Sequence, residues 1–168
     1  MKSTLEEFVR TGQLGRLALG AAVEEVRRVL GPPEDTSVRK KNRPVIWKYG
    51  SLQLHFDHGF LSFIGLYFRD EEFRLPPEVS LGERVPSKDT SLEEFREYLA
   101  QTGTAFHIDP ARTFEDQLAL QVGPGVSVIF DRDGERVRLD SIQYIRRTET
   151  TSPLHAKAAE DSPQAGLK

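Results

Sequence analysis

The sequence consists of two stretches that share one order of predicted elements. Residues 1–75 and 76–147 each read as a short capped helix, a polar connection and several hydrophobic strands. Matching segments are 23–30 with 92–99, 52–57 with 126–131, and Leu61 and Ile64 with Leu139 and Ile142. Few of these residues are identical, so the hydrophobic pattern is what repeats. The pattern predicts two similar units in one chain.

Helix caps are the clearest local signals. Ser3 with Glu6 and Ser91 with Glu94 have the spacing of a capping box. Gly31, which two prolines follow, ends a second apolar stripe, and Gly103 ends a third. Helices are predicted over 4–11, over 23–30, and from 92 to the glycine at 103.

Apolar runs between Gly, Pro and Asp turns predict strands. They cover 45–49, 51–57, 60–68, 104–109, 117–122, 125–131 and 136–145, whereas the polar stretch 34–43 is predicted as loop. Short turns require antiparallel pairing, because a parallel pair needs a long crossover. The expected fold class is α+β, with short helices packed on antiparallel strands.

The expected domain organisation has three parts. A half of roughly 70 residues would bury only about 60% of the surface of its unfolded chain and would be marginally stable alone. We therefore expect the first repeat, 1–75, and the second, 76–147, to pack together as one cooperative unit. Residues 148–168 are rich in Thr, Ser, Pro, Ala, Glu and Lys, and this composition predicts a disordered tail.

Charge and composition narrow the function classes. The formal net charge is −3, which gives no overall attraction to nucleic acid or to anionic membrane. The start of the chain has no apolar signal region, and no apolar run is long enough to span a bilayer. The chain has no cysteine. These features favour a cytoplasmic protein with neither a membrane partner nor a nucleic-acid partner.

Part of the first half resembles known small domains. The residues that carry the resemblance are Leu19–Gly20, Val23–Val26, Leu30–Pro33 and Trp47–Gly50. They are similar to the helix-helix-sheet domains of outer-membrane assembly lipoproteins of the SmpA/OmlA type and, as a tandem pair, of beta-lactamase inhibitor proteins. A group of uncharacterised bacterial immunity-like proteins has a similar segment. The resemblance implies a binding protein, although the lipid-accepting cysteine of the lipoproteins and the disulfide cysteines of the inhibitors are missing.

Two His-x-Asp steps are the nearest approach to a metal site. Residues i and i+2 of a strand share a face, so His55 with Asp57 and His107 with Asp109 each point an imidazole and a carboxylate the same way. Together they would make a His2Asp2 site for a metal-dependent hydrolase. However, alternation places His55 opposite the apolar residues, which favours a solvated sheet face. No metal, cofactor or catalytic residue is predicted.

The predicted binding residues are a basic cluster and two tyrosines. The basic cluster is Arg39, Lys40, Lys41 and Arg43, and the tyrosines are Tyr67 and Tyr144 near strand ends. Aromatic and arginine side chains commonly anchor protein interfaces. We expect a non-catalytic protein-binding module, such as an immunity or inhibitor protein that masks a partner protein. A structural or scaffold subunit, using the strand at 60–68 that is apolar on both faces, is a further alternative.

Overall fold

The computed structural model describes residues 4–37 and 45–145. Within them lie three helices and eight strands. The helices are α1 (Leu5–Thr11), α2 (Val23–Leu30) and α3 (Leu92–Gln101). The strands are β1 (Asp35–Thr36), β2 (Val45–Tyr49), β3 (Leu52–Asp57), β4 (Phe60–Tyr67), β5 (Phe106–Ile108), β6 (Gln117–Val122), β7 (Val126–Asp133) and β8 (Arg136–Ile145).

The helix ends follow the predicted caps with one correction. Ser91 and Glu94 form the expected capping box at the start of α3. The cap of α1 is Thr4 rather than Ser3, and its hydroxyl accepts a hydrogen bond from the Glu7 N–H at 3.0 Å. α2 ends at Gly31, whose φ of 73° is readily accessible only to glycine.

All eight strands form a single antiparallel sheet. Its strand order is β1-β2-β3-β4-β8-β7-β6-β5. Four strands from each half of the sequence lie side by side, and the halves meet where β4 pairs with β8. The predicted α+β class with antiparallel strands is confirmed. One strand was missed, because β1 has only two residues within a stretch predicted as loop.

The apolar core lies between the helices and one face of the sheet. Buried residues from all three helices and from both halves of the sheet belong to one cluster. Phe56 on β3 and Phe130 on β7 are both buried in it, as alternation predicts. One core therefore spans both halves of the chain.

Strands β4 and β8 each contain a β-bulge. The pairing of β3 with β4 shifts between His55 and Phe56, and Ser62 is the extra residue on β4. The pairing of β7 with β8 shifts between Ile129 and Phe130, and Asp140 is the extra residue on β8. A bulge interrupts strict alternation and turns the following residues to the other face. This is how Leu61 and Ile64, three residues apart, both reach the core.

Two predicted segments lie outside the described residues. They are the basic cluster, Arg39 to Arg43, and the tail, 148–168. Among the helices that the structure does describe, none has the length and apolar character needed to cross a membrane.

Candidate functional site

One face of the sheet carries no helix among the described residues. The three helices pack into the core cluster on the other face. Side chains that alternate with the core residues point to this helix-free face. On β3 and β4 they are Gln53, His55, Phe63 and Tyr67, with Gly65 between the last two. On β7 and β8 they include Ser127, Ile129, Ser141, Gln143 and Ile145, of which Ser127, Ile129 and Ser141 are buried.

An aromatic row runs along the helix-free face, formed by His55, Phe63, Tyr67 and Arg69. The His55 and Phe63 rings stack, with centroids 4.2 Å apart and planes 22° apart. A Cβ at Gly65 would lie 2.6 Å from the Phe63 ring and 2.9 Å from the Tyr67 ring, so both rings fold over the glycine. The Arg69 guanidinium carbon lies 5.3 Å from the centre of the Tyr67 ring. The four side chains thus form one continuous row, in which Phe63 is buried and Arg69 is exposed.

Arg69 is held in place by a buried carboxylate. Its Nη2 donates to Asp140 Oδ2 at 2.9 Å, and its Nε donates to Oδ1. The Asp140 side chain is 1% exposed and that of Arg69 is 63% exposed. Ser141 Oγ donates to Asp140 Oδ2 at 2.8 Å, and Gln143 Nε2 donates to Ser141 Oγ at 2.9 Å. This network fixes an exposed guanidinium by a bidentate contact.

The pKa values of Arg69 and of its neighbours Tyr67 and Asp131 are shifted from their ordinary values. The hydrogen bond to Asp140 raises the pKa of Arg69. Burial raises the pKa of Tyr67, so its hydroxyl remains protonated at neutral pH. Burial, followed by the nearby Asp140 carboxylate, raises the pKa of Asp131. The face therefore presents a fixed cation beside a neutral phenol.

His55 lies on the predicted side of the sheet but is half-buried. Alternation correctly places it opposite Leu54 and Phe56, yet its ring is stacked on Phe63 rather than solvated. Its Nε2 atom is buried and has no hydrogen-bond partner within residues 4–37 and 45–145. Burial lowers the pKa of His55 because the low-dielectric surroundings disfavour the cation.

The two predicted tyrosines lie on opposite faces of the sheet. Tyr67 belongs to the aromatic row. Tyr144 points to the core side, where its ring packs on Gly12 at the end of α1 and on Gly125. Tyr144 is therefore not part of the helix-free face.

The two His-x-Asp steps do not meet. His55 is on β3 and His107 is on β5, with four other strands between them. At roughly 4.8 Å per strand the two strands lie about 24 Å apart. Within residues 4–37 and 45–145, no group of three or more His, Cys, Asp or Glu side chains is arranged to hold a metal ion. The His2Asp2 site is not formed.

The strand that is apolar on both faces lies in the middle of the sheet. β4 is hydrogen-bonded to β3 on one side and to β8 on the other, so it offers no free edge. One of its faces is core and the other carries Phe63 and Tyr67. The strand is apolar on both faces because its second face carries part of the aromatic row.

The ends of the basic segment lie far from Tyr67. The described residues on either side of the basic segment are Ser37 and Val45, and the Ile46 N–H donates to Ser37 Oγ at 2.9 Å. Tyr67 lies at the opposite end of these strands, where its N–H donates to the Ser51 carbonyl. Four residue steps along β2 correspond to about 14 Å.

The spacing of apolar residues in the sequence indicates a bulge at Asp140, the partner of Arg69. Leu139 and Ile142 match Leu61 and Ile64 of the first half, and residues three apart share a face only if a bulge separates them. A carboxylate at that bulge, beside the core residue Leu139, indicates a buried charge that needs a partner. The identity of that partner depends on the pairing of β4 with β8, which no local pattern reveals.

Comparison with known proteins adds no further assignment: no family model, curated protein or solved structure matches this chain.

Proposed function

We propose that this chain is a non-catalytic module that binds another protein through the helix-free face of its sheet. The observation that carries the proposal is the aromatic row, which ends in an arginine fixed by Asp140. Tyrosine and arginine are enriched among the residues that dominate interface energies. A side chain that is already ordered in the free protein loses less entropy on binding.

We also propose that the two halves are tandem copies, and the strand registers support this. Equivalent pairs join β3 with β4 and β7 with β8: Leu54–Ile64 with Val128–Ile142, and Phe56–Leu61 with Phe130–Leu139. Each hairpin carries its bulge at the corresponding place, with Ser62 matching Asp140. Isolated bridges correspond as well, Ala22–Phe60 in the first half and Ser91–Arg138 in the second.

The join between β4 and β8 has the symmetry that two copies would produce. Its pairs include Phe63–Ile145, Gly65–Gln143 and Tyr67–Ser141. In the proposed correspondence Phe63 matches Ser141 and Tyr67 matches Ile145. A two-fold rotation through the Gly65–Gln143 pair then exchanges the outer pairs. The aromatic row lies beside this local axis, at the centre of the face.

The resemblance to beta-lactamase inhibitor proteins and to immunity-like proteins suggests the partner class. We propose a bacterial protein partner that is masked by the bound chain, with the encounter in the cytoplasm. The basic cluster, Arg39, Lys40, Lys41 and Arg43, would form the rim of the interface. Rim charges act mainly on association rate and salt dependence.

Site-specific photocrosslinking in the source cell tests the proposal. Lys48 is exposed on the helix-free side of β2, and Glu24 is exposed on α2. A benzophenone side chain at position 48 or 67 should crosslink to one protein, whereas the matched probe at position 24 should not. Crosslinks from position 24 alone would contradict the assigned face.

The captured protein then permits a quantitative test. Tyr67→Ala should speed dissociation, because the ring anchors the row, and Tyr67→Phe should retain most of the affinity. Neutralising the four basic residues together should slow association at low salt and have little effect at high salt. If the chain masks its partner, adding it should abolish the partner's activity, and turnover of a substrate lost in His55→Ala would refute a non-catalytic role.

A further inference from the structure

His55 combines three features that make it sensitive to protonation. Its ring is stacked on Phe63 in the aromatic row. Its Nε2 atom is buried, and none of the residues that the structure describes forms a hydrogen bond with it. The Ser62 hydroxyl reaches only the backbone carbonyl of His55, at 3.1 Å. A neutral imidazole tolerates this environment, but an imidazolium needs an acceptor or water at both nitrogens.

Among the described residues of the surrounding strands, no carboxylate is paired with the His55 ring. On β2 the residue paired with His55 is Ile46, and the charged group on the same face is the cation Lys48. The part of β4 next to His55 presents Ser62 and Phe63. On its own strand the charged neighbour is Asp57, which His58 Nδ1 already contacts at 2.9 Å. Burial is accordingly the cause that lowers the pKa of His55.

We propose that His55 is a pH-sensitive switch of the helix-free face: neutral His55 closes the aromatic row, and protonated His55 leaves the stack and opens it. The imidazolium gains water at Nε2 only if the ring moves away from Phe63. That movement exposes Phe63, which is 8% exposed in the closed row. The face thus has two surfaces, selected by pH. The switch does not depend on whether the face binds a protein.

The direction in which pH shifts the closed row toward the open row follows from the burial of the neutral His55 ring. A pKa below the ordinary value of 6.5 means that the folded chain binds its proton later than the unfolded chain as the pH falls. The closed row is therefore complete above about pH 6.5 and is lost progressively below it. The ratio of closed to open rows changes by up to about tenfold per pH unit.

Proton NMR of the full chain between pH 7.5 and 4.5 tests the switch. The His55 ring signals should titrate with a midpoint below 6.5, and the Phe63 ring signals should shift with the same midpoint. Signals of Phe130, on the core side, should stay in place. A His55 midpoint at or above 6.5, Phe63 signals that ignore the titration, or Phe130 signals that move with it would each overturn the proposal.

Two variants provide the controls. His55→Phe retains a ring for the stack but cannot be protonated, so the pH-dependent shift of Phe63 should disappear. His58→Gln removes an imidazole that is 90% exposed, three residues away, and should leave the shift unchanged. If His55→Phe does not fold, His55→Gln serves the same purpose. A Phe63 shift that persists in the folded variant would assign the transition to another group.

Discussion

Removing the charge of Arg69 should destabilise the protein more than removing the charge of its partner. Arg69→Met keeps the aliphatic stem over Tyr67 but leaves Asp140, which is 1% exposed, without its cation. Breaking a buried ion pair from one side costs about 3 to 5 kcal/mol when the remaining charge is fully buried. Asp140 retains the Ser141 hydroxyl at 2.8 Å. The expected loss in free energy of unfolding is therefore about 2 to 3 kcal/mol.

The reverse substitution should be milder. Asp140→Asn keeps the shape of the side chain, and the guanidinium it leaves behind is 63% exposed and can bind water. We expect a loss of about 1 kcal/mol, typical of a weakened hydrogen bond. In the Arg69→Met/Asp140→Asn double variant no buried charge is left unpaired. That variant should be more stable than Arg69→Met alone, although it carries one more substitution.

Equilibrium unfolding in urea of the wild type and the three variants measures these differences. Equal losses for the two single variants would mean that Asp140 has access to water in solution. Losses that add in the double variant would mean that the two side chains are not coupled. Either result would refute the account of Arg69 as an exposed anchor held by a buried carboxylate.

Three further predictions concern the core, a close contact and pH. Phe130→Ala should lower the free energy of unfolding by about 3 to 5 kcal/mol in urea titration, because the ring is fully buried. Gly12→Ala should cost about 2 to 4 kcal/mol by the same measurement, since the new Cβ would lie 2.2 Å from the Tyr144 ring at a φ of +74°. Gly134→Ala, with a φ of +59° and open space around the new Cβ, should cost only about 1 to 2 kcal/mol. As the pH falls below 6.5, the lowered pKa of His55 should reduce stability by at most about 1.4 kcal/mol per pH unit, and His55→Phe should remove that slope in unfolding curves measured from pH 7 to 5.5.

Local signals predicted most of the elements because caps and turns are local. Ser91 and Glu94 determine the start of α3 through hydrogen bonds within four residues. Local signals did not predict how the two halves join. The join depends on the pairing of β4 with β8, whose residues lie more than 70 positions apart. Nothing within either strand specifies that partner.

The candidate site was predictable only in part for the same reason. Tyr67 was identified as an aromatic residue near a strand end, but its neighbours on the face are determined by pairing. Arg69 and Asp140 are 71 residues apart, and their contact requires both the β4–β8 register and the bulge. Tyr144 had the same local signal as Tyr67, yet its position in β8 turns it to the core.

In the proposed duplication, equivalent residues are similar on the core side of the sheet and different on the helix-free face. Equivalent core positions are alike, with Phe56 matching Phe130 and similar aliphatic pairs elsewhere, because a filled interior tolerates only small changes of volume. Equivalent positions on the helix-free face differ: His55 matches Ile129, and Phe63 matches Ser141. These positions are buried as well, with Phe63 8%, Ile129 4% and Ser141 0% exposed, so each half has had to repack its own neighbours around a different set of side chains. In the proposed duplication, two copies of one backbone thus carry different side chains: the first half ends in the exposed Arg69, whereas the hydroxyls of Ser127 and Ser141 in the second half are buried. An asymmetric face of this kind suits one partner in one orientation.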